Sequence, residues 1–262
     1  MEILLFIIFL FMISTVPFKQ RKNLDWMRGP CAHRGLFTKD QKVAENSKTA
    51  FIKAIKHKLS IELDVRITKD DVLIVFHDET TGRMLSIDQP VEAMTYNQLK
   101  QYKLGLSDDT ILTFSEFLEL VDGQVGLLIE IKPTPQIEKV CMLTASELDH
   151  YQGHFSVCSF HPKIVRWFSI NRPTIVIGQI LKNFFNDTSV SILNRFMLSV
   201  NGYGLYTRAN YISVEYTHIG WFKWMRWLHP FVCAWSVADE KWIHTNQNKV
   251  DCIILEHVNI YE

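Results

Sequence analysis

The sequence predicts an α/β fold, a TIM-type (β/α)8 barrel preceded by an N-terminal hydrophobic helix. Three observations support this prediction. Short runs rich in Ile and Val alternate with helix-like stretches, a pattern typical of parallel strands buried on both faces. Nine such runs occur, and one of them belongs to a hairpin outside the alternation, which leaves eight for the barrel. The first eighteen residues are almost wholly apolar.

The apolar start of the chain, "MEILLFIIFLFMISTVPF", predicts a membrane anchor. As a helix it would be about 27 Å long, which nearly matches a bilayer core of about 30 Å. Its basic residues all follow the run, so the positive-inside rule places the rest of the chain in the cytoplasm. We therefore expect a single-pass anchor at 1–18, a basic juxtamembrane linker at 19–28 and a barrel domain at 29–262. A cleaved or merely peripheral segment is the alternative.

The strand candidates share short length, β-branched residues and polar flanks. They are 30–35, 60–67, 72–77, 126–131, 155–160, 174–180, 211–216, 231–237 and 251–256. The helix candidates between them show apolar positions at helical spacing. They are 47–58 with Ser47 as N-cap, 114–121, 135–150, 162–170 and 239–247.

A hairpin follows from the connection "TKDD" at 68–71, which is too short for a parallel crossover. The runs 60–67 and 72–77 should therefore pair antiparallel. With Asp70 and Asp71 at the turn, Asp64 is expected to face His77.

Composition limits the function. The chain has 262 residues, 47% hydrophobic and 21% charged, which suits a globular protein with a large core. Lys+Arg and Asp+Glu are both 28, so a general polyanion-binding surface, and with it a nucleic-acid partner, is not expected. Five scattered cysteines without a CxxC pair argue against a disulfide framework.

Three acids interrupt apolar strands: Glu62 and Asp64 in "IELDV", and Glu130 in "LIEIK". A buried, unpaired carboxylate costs several kcal/mol, so these side chains need a cation or strong donors. Barrel sites lie at the C-terminal ends of the strands, where all three could meet. Oxygen ligands suit one hard divalent cation, Mg²⁺ or Ca²⁺. His33 and His77 add two groups suited to proton transfer near neutral pH.

The order of the motifs resembles the glycerophosphodiester phosphodiesterase family over nearly all of 29–258. The matching motifs are "AHRG" (32–35), "ENS" (45–47), "IELDV" (61–65), "VFHD" (75–78), "LIEIKP" (128–133), "ILTFSEFLELV" (111–121), "SFHP" (159–162) and "AWSV" (234–237). The resemblance implies a TIM barrel that cleaves a phosphodiester with the help of a metal. Two stretches depart from the family pattern, "HDETTGRM" after the second histidine and Leu255-Glu256 in place of a Thr-Asp pair.

Carried over by position, the resemblance implies a role for each site residue. His33 and His77 would be the acid–base pair, and Arg34 and Lys132 would contact the phosphate. The remaining residues would hold the metal (Glu62, Asp64, Glu130) or brace the mouth of the site (Glu45, Asn46).

Three functions remain open from the sequence. The first is hydrolysis of glycerophosphodiesters to glycerol phosphate and an alcohol. The second is a lysophospholipase D reaction on a membrane lysophospholipid. The third is a catalytically inactive, membrane-tethered binding module, which predicts the loss of a metal carboxylate or histidine, although none is missing. The nucleophile could be water or the neighbouring glycerol hydroxyl.

A possible substrate rim follows the strand at 211–216. The stretch "HIGWFKWMRWLH" (218–229) is expected to be a helix at the active-site end of the barrel, with Trp221 and Trp224 on one face. Together with Trp235 and the long aromatic loop 182–209, it could face lipid. The alternative is an ordinary barrel helix that packs its aromatic face inward.

Overall fold

A computed structural model describes residues 11–14, 16, 22–228 and 230–257, with the backbone alone for 224–228. In this part of the chain nine strands form one sheet. They are β1 Gly29–His33, β2 Ser60–Ile67, β3 Leu73–Val75, β4 Leu127–Ile131, β5 Phe155–Ser159, β6 Val176–Leu181, β7 Tyr211–Glu215, β8 Phe231–Val237 and β9 Cys252–Leu255. All nine predicted strands are confirmed.

The sheet closes into a barrel of eight parallel strands. Each strand except β3 pairs parallel with both neighbours, and β1 completes the ring by pairing with β2 and β9. The predicted TIM-type barrel is therefore confirmed.

The predicted hairpin is present, but its predicted register is wrong by one residue. β1 pairs with residues 60–62 of β2, and β3 pairs antiparallel with residues 65–67. In this pairing Val65 lies opposite Val75. The Phe76 N–H donates to Asp64 O at 3.0 Å, so Phe76, not His77, lies opposite Asp64. The cause is the turn: the Thr68 N–H donates to Val72 O at 3.0 Å and encloses three residues.

Eight α-helices lie in the described residues between 22 and 257. They are α1 Lys48–Lys56, α2 Tyr96–Leu99, α3 Phe114–Val121, α4 Ile137–Leu148, α5 Pro162–Asn171, α6 Ile192–Ser199, α7 Gly204–Thr207 and α8 Glu240–Asn246. The predicted N-cap Ser47 accepts from the Ala50 N–H, and Thr113 forms a capping box with Glu116 at the start of α3.

The rim stretch and the loop before it differ from prediction. Ile219–Leu228 is a 3₁₀ helix rather than an α-helix, and the predicted loop 182–209 contains α6 and α7. Of the predicted N-terminal helix, residues 11–14 are helical. The rest of 1–18, apart from residue 16, lies outside the described residues. No described helix is long and apolar enough to cross a bilayer.

The core has two parts. An outer layer packs the helices against the strands, with Phe51, Phe114 and Phe117 fully buried. Inside the barrel, apolar side chains fill the interior up to the site, among them four of the five cysteines: Cys31, Cys158, Cys233 and Cys252. All five cysteines are free, as the sequence predicts, and all five are buried.

Candidate active site

The strand register brings the predicted site residues to one end of the barrel. His33 on β1 is the partner of Glu62 on β2, and Asp64 is the partner of Glu130 on β4. Side chains two residues apart point to the same face of a strand. Glu62 and Asp64 therefore both point into the barrel, where they meet Glu130.

Glu62, Asp64 and Glu130 form a compact group of buried carboxylates. One oxygen from each lies within 4.8 Å of the others. Their relative exposures are only 5%, 1% and 6%. Oxygen donors at this spacing fit a hard divalent cation, so the residues present suit the metal that the sequence predicted.

Asp64 carries two buried cationic partners. Lys132 Nζ lies 2.9 Å from Asp64 Oδ1 and 2.7 Å from Glu130 Oε1, and Arg34 Nε lies 3.3 Å from Asp64 Oδ2. Burial opposes ionisation of Asp64, but Lys132 and Arg34 outweigh it and hold the pKa of Asp64 well below its usual range. At Lys132, burial lowers the pKa, but the charges of Asp64 and Glu130 outweigh it and raise the pKa above its usual value.

Glu62 lacks such cationic partners. It accepts the Arg34 backbone N–H at 3.1 Å, and His33 Nε2 lies 3.8 Å away. Burial, followed by the charges of Asp64 and Glu130, raises the pKa of Glu62 well above its usual value. A cation between the three carboxylates would relieve this repulsion.

The turn after β1 has an unusual backbone that aims Arg34 at the site. Arg34 has a φ of 51° and Asn46 has a φ of 53°, a region that costs ordinary residues energy and is frequent at functional sites. Gly35 has a φ of 79°, and a Cβ there would lie 2.9 Å from Ala50. The positive φ and the close approach to Ala50 explain why glycine follows His33 and Arg34 in the sequence.

Glu45 and Asn46, for which a bracing role is predicted, both contact residues of the site. Arg34 Nη1 donates to Glu45 Oε1 at 2.8 Å. Asn46 Nδ2 donates to Asp64 Oδ2 at 2.8 Å, and the Asn46 N–H donates to the Arg34 carbonyl at 3.0 Å.

His33 is held between two carboxylates. Its Nδ1 lies 3.2 Å from Glu256 Oε2, and its Nε2 points towards Glu62. Burial lowers the pKa of His33, against the opposing effect of Glu256. Contact with His33 lowers the pKa of Glu256 to about 2, so this carboxylate is charged at neutral pH. A neutral His33 whose Nδ1–H faces Glu256 keeps the Nε2 lone pair for a proton.

His77 is fixed by a second carboxylate. Its Nδ1 lies 2.6 Å from Asp78 Oδ1, and its backbone carbonyl accepts from Arg66 Nε at 2.8 Å. Arg83 joins this pair to the other wall: its Nε donates to Asp78 Oδ2 at 2.6 Å and its Nη1 to Glu45 Oε2 at 2.9 Å. Burial opposes ionisation of Asp78, but His77 and Arg83 hold its pKa far below the usual range.

These side chains surround a cavity of about 220 Å³. One wall is charged, with both histidines, Arg34, Glu62 and Glu130. The opposite wall is formed mainly by Phe160, Ile180, Trp235 and Lys182. Trp235 Nε1 donates to the carbonyls of Leu181 and Ser213 at 3.1 and 3.2 Å, so the ring is held in place.

The outcome for the rim tryptophans is mixed. Trp235 lines the cavity, whereas Trp221 is 51% exposed and lies outside its lining. The Trp224 side chain lies outside the described residues. The other nine predicted site residues come together at this end of the barrel, and their roles stay predictions.

Sequence reasoning assigned no role to four side chains of the site: Asp78, Arg83, Lys182 and Glu256. Asp78 could have been found from the His-Asp pair in "VFHD". Arg83 and Glu256 lie in the two stretches that depart from the family pattern, and only their contacts reveal their position.

A (β/α)8 barrel that combines a hard-cation carboxylate cluster with two carboxylate-bound histidines defines a class of metal-dependent hydrolase. The comparisons with known proteins identify the family within that class. The family model for the glycerophosphoryl diester phosphodiesterase family matches residues 33–259, and the chain belongs to this family. The predicted family, enzyme class and fold are therefore confirmed.

Individual relatives are similar over shorter stretches. A glycerophosphodiester phosphodiesterase of Caldanaerobacter subterraneus subsp. tengcongensis is 31% identical over 56% of this chain and 64% of its own length. An uncharacterized protein of Mycoplasma genitalium is 40% identical over 34% of this chain and 39% of its own length. The chain thus spans less than two thirds of each of these two relatives.

Solved structures are similar in fold. Among them is an Oleispira antarctica phosphodiesterase in complex with the product sn-glycerol-3-phosphate, with a TM-score of 0.73 and 18% identity. The match covers 88% of this chain and 94% of that one.

Proposed function

We propose that this protein hydrolyses glycerophosphodiesters to glycerol phosphate and an alcohol, with one hard divalent cation, Mg²⁺ or Ca²⁺. The observation that carries the proposal is the carboxylate cluster of Glu62, Asp64 and Glu130 in one cavity with His33 and His77. Family membership supports the reaction class.

Charge explains the need for a cation. The three carboxylates face two buried cations, Arg34 and Lys132, so the fully ionised cluster carries an excess of negative charge and would repel a phosphodiester. A divalent cation held by the carboxylates would reverse that sign and polarise the phosphoryl group. Arg34 and Lys132 would then share the phosphate charge.

The two histidines divide the proton transfers. His33 presents Nε2 to the cavity, while Glu256 holds its Nδ1, and this arrangement suits a base that removes a proton from the nucleophile. His77 is oriented by Asp78 and would protonate the leaving alkoxide. The reverse assignment uses the same contacts. Either water or the neighbouring glycerol hydroxyl can serve as the nucleophile.

The decisive experiment measures release of glycerol phosphate from glycerophosphocholine by the full chain. Mg²⁺ or Ca²⁺ should support turnover, and excess chelator should stop it. A matched His161→Ala variant controls for the loss of a histidine elsewhere in the chain, since His161 caps α5 and does not line the cavity. Full activity in chelator, with no metal left bound, would contradict the proposal.

A lipid substrate is the second candidate, supported by the apolar wall of Phe160, Ile180 and Trp235. On lysophosphatidylcholine the same chemistry would release lysophosphatidic acid and choline. Parallel assays on both substrates rank the two candidates. An inactive binding module should hydrolyse neither, but its predicted loss of a site residue is not found among the nine.

Localisation rests on the apolar run at 1–18 and the basic residues after it. The proposal is a single-pass anchor with the barrel on the cytoplasmic side. A reporter fused after residue 262 should then be active only if it is one that works in the cytoplasm. Activity of an exported reporter at the same position would reverse the topology.

A further inference from the structure

The segment that connects β6 to β7, residues 182–210, lies beside the mouth of the cavity. It starts at the C-terminal end of β6, the end of the barrel that carries the site, and its first residue, Lys182, lines the cavity. The segment contains α6 and α7. The start of the segment is therefore close to the catalytic groups.

One side of this segment is fixed to the barrel. Phe184 is buried, and its N–H donates to Ser199 Oγ at 2.9 Å. The Ser199 carbonyl lies 3.0 Å from His218 Nε2. These contacts hold the C-terminal end of α6 and leave its N-terminal half pointing outwards.

Four large apolar side chains of the segment are exposed: Phe185, Ile192, Leu193 and Phe196, with relative exposures of 44%, 81%, 70% and 42%. We call these four residues the α6 face. Single exposed apolar residues are ordinary, but a group of them on one short segment is typical of an interaction surface.

The N-terminal segment leads to the same face. The Phe11 ring stacks on Phe196, with centroids 5.9 Å apart and planes at 19°. Val16 packs against the core cluster that contains Leu181 and Phe222. The apolar run at 1–18 would be about 27 Å long as a helix, whereas the eight residues of α6 span about 12 Å. The apolar run is longer than α6, so α6 could not cover all of it. The run and the α6 face would both be better buried in a larger apolar environment.

The surroundings of the α6 face fit a lipid headgroup layer. Trp221 is 51% exposed and follows β7 at the same end of the barrel. Lys182 and Arg195 belong to the segment and Lys223 follows Trp221 by two residues, whereas Asp187, which lies 3.9 Å from Lys182, is the one acid in 182–199. Tryptophan and basic residues around an apolar surface are typical of proteins that lie at a bilayer interface.

We propose that the α6 face inserts into the surface of a lipid bilayer and holds the mouth of the cavity against it. A phosphodiester carried by a membrane lipid would then reach His33 and His77 without first leaving the bilayer. This last step rests on the proposed function, whereas the membrane contact itself does not.

Site-specific labelling tests the contact in the full chain. The five native cysteines are buried, so a label will react with an introduced one. Leu193→Cys carries an environment-sensitive fluorophore, and Ile170→Cys is the matched control. Ile170 is 58% exposed near the end of α5, at the opposite end of the barrel.

Vesicles of phosphatidylcholine and phosphatidylglycerol should shift the emission at position 193 to the blue and allow quenching by a lipid-borne quencher. Position 170 should not respond. An unchanged signal at 193 would overturn the proposal. A blue-shifted signal without vesicles that vesicles do not alter would also overturn it, because protein, from residues 1–10 or a second copy, would then cover the face.

An activity experiment tests the consequence. The Ile192→Glu, Leu193→Glu double variant should lose at least about tenfold in turnover of lysophosphatidylcholine in vesicles, since each side chain would lose its favourable burial in lipid. Hydrolysis of soluble glycerophosphocholine should not change. Ile170→Glu should leave both activities intact.

The outcomes separate the two proposals. Equal losses of the double variant on both substrates would mean that the α6 face stabilises the fold, and would overturn the membrane assignment. Absence of glycerophosphocholine hydrolysis in the parent protein would instead contradict the proposed function, while the labelling result would still decide the membrane contact.

Discussion

Glu62→Gln and Asp64→Asn should both abolish metal-dependent turnover, but they should affect stability in opposite ways. Each change replaces a carboxylate of the cluster by an amide of nearly the same shape, and a neutral amide attracts a cation much less strongly than a charged carboxylate does. The two carboxylates differ in their partners. Asp64 has Lys132 at 2.9 Å and Arg34 at 3.3 Å, whereas Arg34 contacts Glu62 through its backbone N–H.

The size of the effect follows from these contacts. Removing one member of a buried ion pair costs about 3–5 kcal/mol. At about 2–4 °C per kcal/mol for a chain of this size, Asp64→Asn should lower Tm by about 6–20 °C in chelator. Glu62→Gln removes a buried carboxyl group whose pKa is raised by burial and by its acidic neighbours. Its Tm in chelator should therefore equal or exceed that of the parent.

Thermal unfolding with chelator and with saturating Mg²⁺ measures both effects. At a hundredfold excess over Kd the cation should add about 2.7 kcal/mol to the parent, or about 5–11 °C. Neither variant should show this gain, and neither should release glycerol phosphate. Equal losses of Tm for Glu62→Gln and Asp64→Asn in chelator would refute the electrostatic reasoning. A metal-induced gain in Glu62→Gln would remove Glu62 from the ligand set.

Three further predictions concern single side chains. His77→Ala should lose about 10² to 10⁴ in kcat, the range for a general acid or base; a variant within threefold of the parent would exclude that role. Glu256→Gln should move the limb of the pH profile of kcat/KM that reports His33 to lower pH, because Glu256 favours the protonated imidazole; an unmoved profile contradicts this. Burial raises the pKa of Glu147 to about 7 from an ordinary 4.5, so folding stability should fall as pH rises between these values. Glu147→Gln should therefore stabilise the protein near pH 8 by about 1 kcal/mol, after discounting for its partial exposure, and by nothing near pH 4; equal gains at both pH values would show another cause.

The barrel was predictable because its signal is repeated along the chain. Each strand is a short apolar run, and the five helices predicted between them were found, with α3 at the predicted bounds. Local geometry was less predictable. The hairpin register depends on the number of residues in one turn, and a single residue moves Asp64 from opposite His77 to opposite Phe76. Helix α6 lies in a stretch that was predicted to be a loop. Its sequence pattern does not show that its apolar side chains are exposed.

The carboxylate cluster was predictable for a different reason. An acid within an apolar strand is costly to bury, so Glu62, Asp64 and Glu130 indicated their own partners. Arg83 gave no such signal, because arginine is usually exposed to solvent and an arginine near a turn is common. Its importance arises only when folding brings Glu45 and Asp78 to the same guanidinium.

Closure of the barrel explains the position of Glu256. β1 pairs with β9, and Ala32 is the partner of Leu255. The residue after Ala32 is His33, and the residue after Leu255 is Glu256, directly past the end of β9. The side chains of His33 and Glu256 meet at 3.2 Å. The contact joins residues 223 positions apart, so it cannot form until the last strand has joined the first. The orientation of His33 thus depends on the completed barrel, and a chain with β9 unpaired would hold the carboxylate cluster but leave this histidine without the group that fixes its Nδ1.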